Sequence, residues 1–261
     1  KIEATIQRAN DVSKIRTHQE IDFRVNYESL RLRNPQQEIW ATIQQNWRTD
    51  NAIVDIKPLF VRRDELIFDF QNQLVFPAGN EFRFFDMRDF QNARNNIALI
   101  ERLEERYDVA VMLDERRGNQ SFISNNDING QFIIETLPNQ DPNTRGDYAN
   151  VLFTYKTGTP FLDGKLYLFG ALTDWQLKEE FEMIYNPAVN SYVLRTELKQ
   201  GFYNYAYAYV QNGKKNIILD DTEGNWVETL NDYTIIIYHR PFGSRYDHVV
   251  GAYTAVSDGR R

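Results

Sequence analysis

Apolar and polar positions alternate without a break from Ile21 to Tyr27: Ile21, Phe23, Val25 and Tyr27 fall on one side, Asp22, Arg24 and Asn26 on the other. A period of two predicts a half-buried β-strand. Glu38 to Gln44 repeats the pattern, with Ile39, Ala41 and Ile43 on one face and Trp40 and Thr42 on the other. Further strands are predicted at Glu65–Phe70, Glu81–Arg88, Tyr148–Tyr155, Lys165–Phe169, Tyr192–Leu198, Phe202–Val210 and Tyr233–Arg240. Turn residues such as Asn34-Pro35, Asp50-Asn51 and Pro77-Ala78-Gly79-Asn80 separate them. The opening Lys1-Ile-Glu-Ala-Thr-Ile6 is strand-like as well.

Two stretches carry the strongest signal. Tyr203, Tyr205, Tyr207 and Tyr209 alternate with Asn204, Ala206 and Ala208, so four rings share one face of a strand and small residues occupy the other. The rings are expected to be core wall, since burying a side chain of this size contributes about 1.5–3 kcal/mol. Leu166 to Phe169 is a short apolar run bounded by Gly164 and Gly170, followed by a polar turn ending on Trp175. Such a run predicts a buried strand.

Asn96 to Arg106 fits one helical face or a strand, and an all-β context favours the strand. Asp108–Leu113 and Gln131–Glu135 are predicted to form a hairpin across a polar loop from Glu115 to Gly130. The segment from Leu137 to Gly146 holds two prolines and no apolar residue before Tyr148, which marks it as a domain boundary. The pattern therefore predicts an all-β protein of two tandem β-sandwiches, residues 1–141 and 147–255.

A length of 261 residues suffices for two cores, and 15 tyrosines with 17 phenylalanines suit β-rich packing. A net charge of −7 repels a phosphate backbone, so nucleic acid is not an expected partner. The sequence has no cysteine, which excludes disulfides and thiolate metal sites. No apolar run approaches the roughly 18 residues of a membrane-spanning helix.

Candidate chemistry is sparse. His239 shares a strand face with Tyr233, Ile235 and Ile237 and is expected to be a core or rim residue. His248, beside Arg245 and Asp247, is expected in a surface ion-pair group. Asn125-x-Asp127-x-Asn129-Gly130 mimics the first half of a calcium loop, but the twelfth position is Thr136 instead of a bidentate glutamate, so a polar turn is expected. Asp220-Asp-Thr-Glu223 is expected to be a solvated acidic loop. No catalytic residue, metal site or cofactor is predicted, and a small-molecule ligand is not expected. The binding candidates are Trp40, Trp47 and Trp175, because tryptophan supplies large contact area at low entropy cost. Trp40, opposite the apolar face of its strand, suits a partner or interdomain contact; Trp175 suits either an interface or the cap of its own sandwich.

Gly170-Ala-Leu-Thr-Asp-Trp175 and Gly201-Phe-Tyr-Asn-Tyr205 resemble the strand-turn motifs of early-set immunoglobulin-like modules, which include glycogen-binding domains. That resemblance implies immunoglobulin-like and early-set sandwiches and an alternative function, a carbohydrate-binding module, although Gln211 to Asn216 lacks the second aromatic of the sugar-stacking platform. A broader resemblance rests on seven segments in order: Thr17–Phe23, Val75–Arg83, Asp127–Phe132, Phe169–Trp175, Leu198–Tyr205, Glu228–Tyr233 and Arg245–Asp247. Together they look like the plug protein family of the Bacteroidetes type IX secretion system. The resemblance implies a non-enzymatic periplasmic protein, associated with the outer membrane, that binds the β-barrel translocon and closes its periplasmic opening. Members of that family are longer, with a signal peptide and a further N-terminal β-domain, so it also implies that part of the protein lies outside this sequence.

Overall fold

The structure, a computed structural model, describes all residues except 29, 31, 94, 138–140, 215 and 259–261. It is all-β, as the alternation requires. Among the described residues the helices are single turns: Pro35–Glu38, Pro142–Arg145, Ala171–Thr173 and Glu179–Phe181. The chain divides into two compact units, and one interrupts the other: residues 1–79 and 225–261 form unit 1, and residues 80–224 form unit 2.

The first part of unit 1 carries β1 (Ile2–Arg8), β2 (His18–Asn26), β3 (Ile39–Gln45), β4 (Ile53–Ile56), β5 (Phe60–Val61), β6 (Glu65–Phe68) and β7 (Val75–Pro77). Unit 2 carries β8 (Arg83–Asp86), β9 (Ile97–Arg102), β10 (Tyr107–Val111), β11 (Asp114–Glu115), β12 (Phe132–Ile134), β13 (Tyr148–Lys156), β14 (Gly164–Phe169), β15 (Glu182–Asn186), β16 (Ser191–Lys199) and β17 (Gly201–Gln211). The chain then returns to unit 1 for β18 (Asp232–His239) and β19 (His248–Val256).

Unit 1 is a β-sandwich. One sheet runs β1-β2-β6-β5 with β7 beside β2; the other runs β19-β18-β3-β4. Ile21 and Phe23 of β2 and Leu66 and Phe68 of β6 meet Ile39, Ala41 and Ile43 of β3 and Tyr233, Ile235 and Ile237 of β18 in one core. Phe23 and Phe68 stack with ring centroids 4.3 Å apart.

In unit 2 a single ten-stranded sheet follows the path β12-β17-β14-β15-β16-β13-β10-β9, with β8 beside β17 and β11 beside β13. The sheet curls until β13 and β17 face each other. Phe153 and Tyr205 lie 5.3 Å apart between ring centroids, and Tyr155 and Tyr207 lie 4.6 Å apart. The tyrosine stripe is core wall: Tyr203, Tyr205, Tyr207 and Tyr209 are all buried in one cluster. On the other face of β17, Ala206 and Ala208 leave room for a second layer of Phe82, Phe169 and Trp175.

Three expectations are corrected. The tandem division at 141/147 does not hold, because β10 pairs in parallel with β13 across it, from Tyr107↔Ala149 to Ala110↔Leu152. Residues 138–140 of the expected linker lie outside the described residues. Nor does Tyr233–Arg240 belong with the strands before it, since β18 pairs with β3 from Tyr233↔Gln45 to His239↔Ile39. The hairpin of Asp108–Leu113 with Gln131–Glu135 is replaced by β10 against β9 and β12 against β17. Alternation decides which face of a strand is buried and leaves its neighbour open.

The true crossings are two Gly-Asn pairs, Gly79-Asn80 and Gly224-Asn225. Both glycines have positive φ, +70° and +86°. Within unit 1, the Gly79 backbone N–H donates to Asn225 Oδ1 at 2.8 Å; within unit 2, Asn80 Nδ2 donates to the Glu223 carbonyl at 2.7 Å.

Candidate functional site

The three candidate tryptophans have different surroundings. Trp40 points away from the core of unit 1 but is covered: Tyr238 stacks beside it at 6.1 Å, and Lys57 and Arg240 lie 4.4 and 5.1 Å from the ring centroid. Arg240 is held there by two hydrogen bonds to Asp247, at 2.5 and 2.9 Å. Its indole is therefore spent on this surface. Trp175 is 7% exposed and packs edge-on against Phe82 and Phe169, at 5.8 and 5.5 Å. It caps its own fold and offers no free face to a sugar, so the stacking platform behind the carbohydrate alternative is absent. Trp47 alone of the three is open, at 53% exposure.

The expected calcium-like loop is a turn that satisfies itself. The Asp127 carboxylate accepts from the backbone N–H groups of Phe82 and Asn129. Asn204 Oδ1 accepts from Ile128 N at 2.7 Å and Gly130 N at 3.3 Å. His239 sits at the rim of its sandwich, with Nε2 3.3 Å from Glu38 Oε2. His248 stacks edge-on with Tyr246 at 5.0 Å, next to the Arg240–Asp247 pair.

One expectation here reverses. Glu223, assigned to a solvated loop, is 2% exposed and stands at the centre of unit 2. Arg83 Nε donates to both of its carboxylate oxygens at 3.0 Å, Arg117 Nε to Oε2 at 2.8 Å, and the Tyr207 backbone N–H to Oε1 at 2.9 Å. Arg83 also donates from Nη1 to Asp114 Oδ1 at 2.6 Å and from Nη2 to the Glu115 carbonyl at 2.7 Å. The hydroxyls of Tyr205 and Tyr207 both donate to Asp114 Oδ2, at 2.8 and 2.7 Å. Every hydroxyl of the stripe has an acceptor, as buried phenols require: Asp114 for Tyr205 and Tyr207, the Lys199 carbonyl for Tyr203 and Asp163 Oδ1 for Tyr209. Burial opposes the Glu223 charge, but Arg83 and Arg117 outweigh it and hold the carboxyl below its usual range. Burial, with Asp114 next, pushes Tyr205 and Tyr207 well above the usual phenol value. Every charge in this group has a fixed counter-charge or hydrogen bond. Its work is cohesion.

A second carboxylate departs from the ordinary. Asp22, on the outer face of β2, is pushed up to about 6 by burial, then by Asp69 and Glu20. Gln7 Nε2 donates to Oδ2 at 2.8 Å, while Oδ1 is buried without a partner. A carboxyl whose folded pKa is raised stabilises the fold below its unfolded value, near 4, and loses that contribution as pH rises through about 6. Asp22→Asn is thus expected to raise stability at pH 7.5 by about 1 kcal/mol, after allowance for its partial exposure. The gain should vanish at pH 4, and urea unfolding at the two pH values measures it.

Six of the seven segments of the plug resemblance meet another of the set inside their unit. In unit 1, Gln19 Nε2 donates to the Val227 and Thr229 carbonyls at 2.8 Å, and its Oε1 accepts from Tyr233 Oη at 2.7 Å and Asn231 Nδ2 at 3.1 Å. The Ala78 N–H donates to the Thr17 carbonyl at 2.9 Å, and the Ala78 carbonyl accepts from Asn231 Nδ2 at 2.9 Å. In unit 2, Gly130 lies under Trp175 and its carbonyl accepts from Ala171 N at 2.9 Å, while Asn204 closes the same turn. Only Arg245–Asp247 stands apart, at the Arg240 pair.

No family model and no curated protein matches this sequence. Among solved structures, the chain is similar to a hypothetical protein from Parabacteroides merdae, known from a crystal structure: 32% identity, a TM-score of 0.91 and coverage of 98% of this chain. The chain spans 64% of that protein's length. The two share one fold over nearly all of the residues described above.

Proposed function

We propose that this chain is a non-enzymatic plug that works in the periplasm at the outer membrane, where it binds the β-barrel translocon of the type IX secretion system and closes its periplasmic opening. The observation that carries this is the mutual contact of the segments on which the resemblance rests. Six of the seven are hydrogen-bonded or packed against another of the set within their own unit, so they form one contact group in each unit and not seven unrelated coincidences. The early-set, immunoglobulin-like character belongs to the same proposal: its two motifs adjoin, with Gly170 close against the Asn204 carbonyl and the flanking residues Phe169 and Ala206 paired. Obstruction calls for rigidity and a large interface, and the saturated charge group of unit 2 supplies rigidity. Carbohydrate binding loses its support with the burial of Trp175.

The test is affinity capture of the tagged protein from detergent-solubilised membranes of its host. Recovery of a large outer-membrane β-barrel is expected, with secreted cargo leaking into the medium when the protein is deleted. Capture of no barrel, with secretion unchanged on deletion, defeats the proposal.

A further inference from the structure

Among the described residues two Asx-Trp pairs hold both residues at positive φ, with opposite outcomes. Asn46-Trp47 has φ values of +53° and +62°, and Asp174-Trp175 has +55° and +57°. An L-residue in this left-handed region is strained, and bulky side chains are rare there. At Trp175 the strain has an internal reason, because the ring is delivered onto Gly130, Phe82 and Phe169. Trp47 has no such packing among the described residues. The turn is closed by the Arg48 N–H donating to the Gln45 carbonyl at 2.9 Å, with positive φ at both central residues. That is a type I′ turn, whose second central position favours glycine. This chain places there a tryptophan that is 53% exposed, stands in no core cluster and makes no ring contact among the described residues.

The turn is also rigid without the indole. Asn46 Nδ2 donates to Asn231 Oδ1 at 2.7 Å, and Asn46 Oδ1 accepts from the Asp232 N–H at 2.8 Å. Arg48 donates to both Asp50 oxygens at 3.0 and 2.7 Å, and Asn51 Nδ2 donates to Gln45 Oε1 at 2.9 Å. Strain held at an exposed residue, on a support that does not need that residue, is what a pre-organised binding anchor requires. The large rigid ring suits a hot spot.

We infer that Trp47 is the anchor through which this chain docks on a protein partner, its indole entering an apolar pocket there. The inference rests on the plug reading, under which that partner is the barrel translocon. A lipid surface is the weaker fit: the chain carries −7 overall, and the one cation of the turn, Arg48, is neutralised by Asp50.

The experiment compares the tagged full chain with its Trp47→Gly variant, by capture of the translocon from host membranes and by thermal unfolding. Because glycine relieves the backbone, the variant is expected to melt at the same temperature or higher while its affinity for the barrel falls at least tenfold. Trp47→Phe should keep part of that affinity. Equal capture by wild type and glycine variant overturns the anchor and leaves the plug reading standing. Failure of the wild type to capture any barrel overturns the plug reading, and the anchor with it. A glycine variant that melts several degrees lower makes Trp47 a fold residue, and this also overturns the inference. So does a blue shift of tryptophan emission on adding phosphatidylglycerol vesicles, which would assign the indole to lipid.

Discussion

Glu223→Ala is expected to destabilise the protein by about 3–5 kcal/mol, the cost of breaking a buried ion pair and leaving its partner charge behind. Arg83, 8% exposed, would keep Asp114, but Arg117 would lose its carboxylate and the Tyr207 N–H its acceptor. Glu223→Gln should cost less, since an amide oxygen can still accept from these donors. Removing both charges, as Arg83→Met with Glu223→Leu, should recover part of the loss, which a purely additive pair would not. Denaturant unfolding followed by tyrosine and tryptophan fluorescence distinguishes the variants. The same group sets the pH limits. The Glu223 pKa is depressed in the fold, so its contribution is present above its unfolded value, near 4.5, and is lost as pH falls through the lower folded value. Tyr205 and Tyr207 have raised values, so their contribution is complete below about pH 10 and is lost above it. Acid and alkaline unfolding should both weaken unit 2, and Glu223→Ala should remove its share of the acid transition.

The second large effect is expected at Gly130. A Cβ there would lie 2.4 Å from Trp175 Cη2 and 2.8 Å from the Phe82 ring, at φ +77°. Gly130→Ala should therefore destabilise by about 3 kcal/mol or more, combining overpacking with left-handed strain. Trp175 cannot simply swing aside, because its own N–H donates to the Gly170 carbonyl at 3.1 Å and its ring is wedged between Phe82 and Phe169. Trimming the ring in Gly130→Ala/Trp175→Leu should cost less than the sum of the two single changes. A sum that is fully additive by calorimetry would show that the glycine answers to its backbone angle alone.

These residues also mark how far a sequence can be followed. The Tyr203–Tyr209 alternation specified both faces of β17, because each residue's neighbours at i±2 fix its side of the pleat. Asn125 to Gly130 was legible as a turn from its own composition. Glu223 was not, since the two arginines that neutralise it lie 140 and 106 residues earlier in the chain. The strained Asn46-Trp47 turn left only the Asn as a local signal, because the usual glycine is missing. The crossings had no local signature, because the Gly-Asn of 79–80 and 224–225 also occurs at 118–119, inside unit 2.

Local pattern by itself determined that this protein is all-β, where most of its strands run and which side chains line its cores. Periodicity is a property of neighbouring residues, and burial of apolar area acts on them directly. Only the tertiary structure decided that one unit interrupts the other, that a glutamate in an acidic run is a buried keystone, and that of the three candidate tryptophans one remains open to solvent. Strand partners, counter-charges and coverage are all set by residues far away in the chain, and no local window contains them.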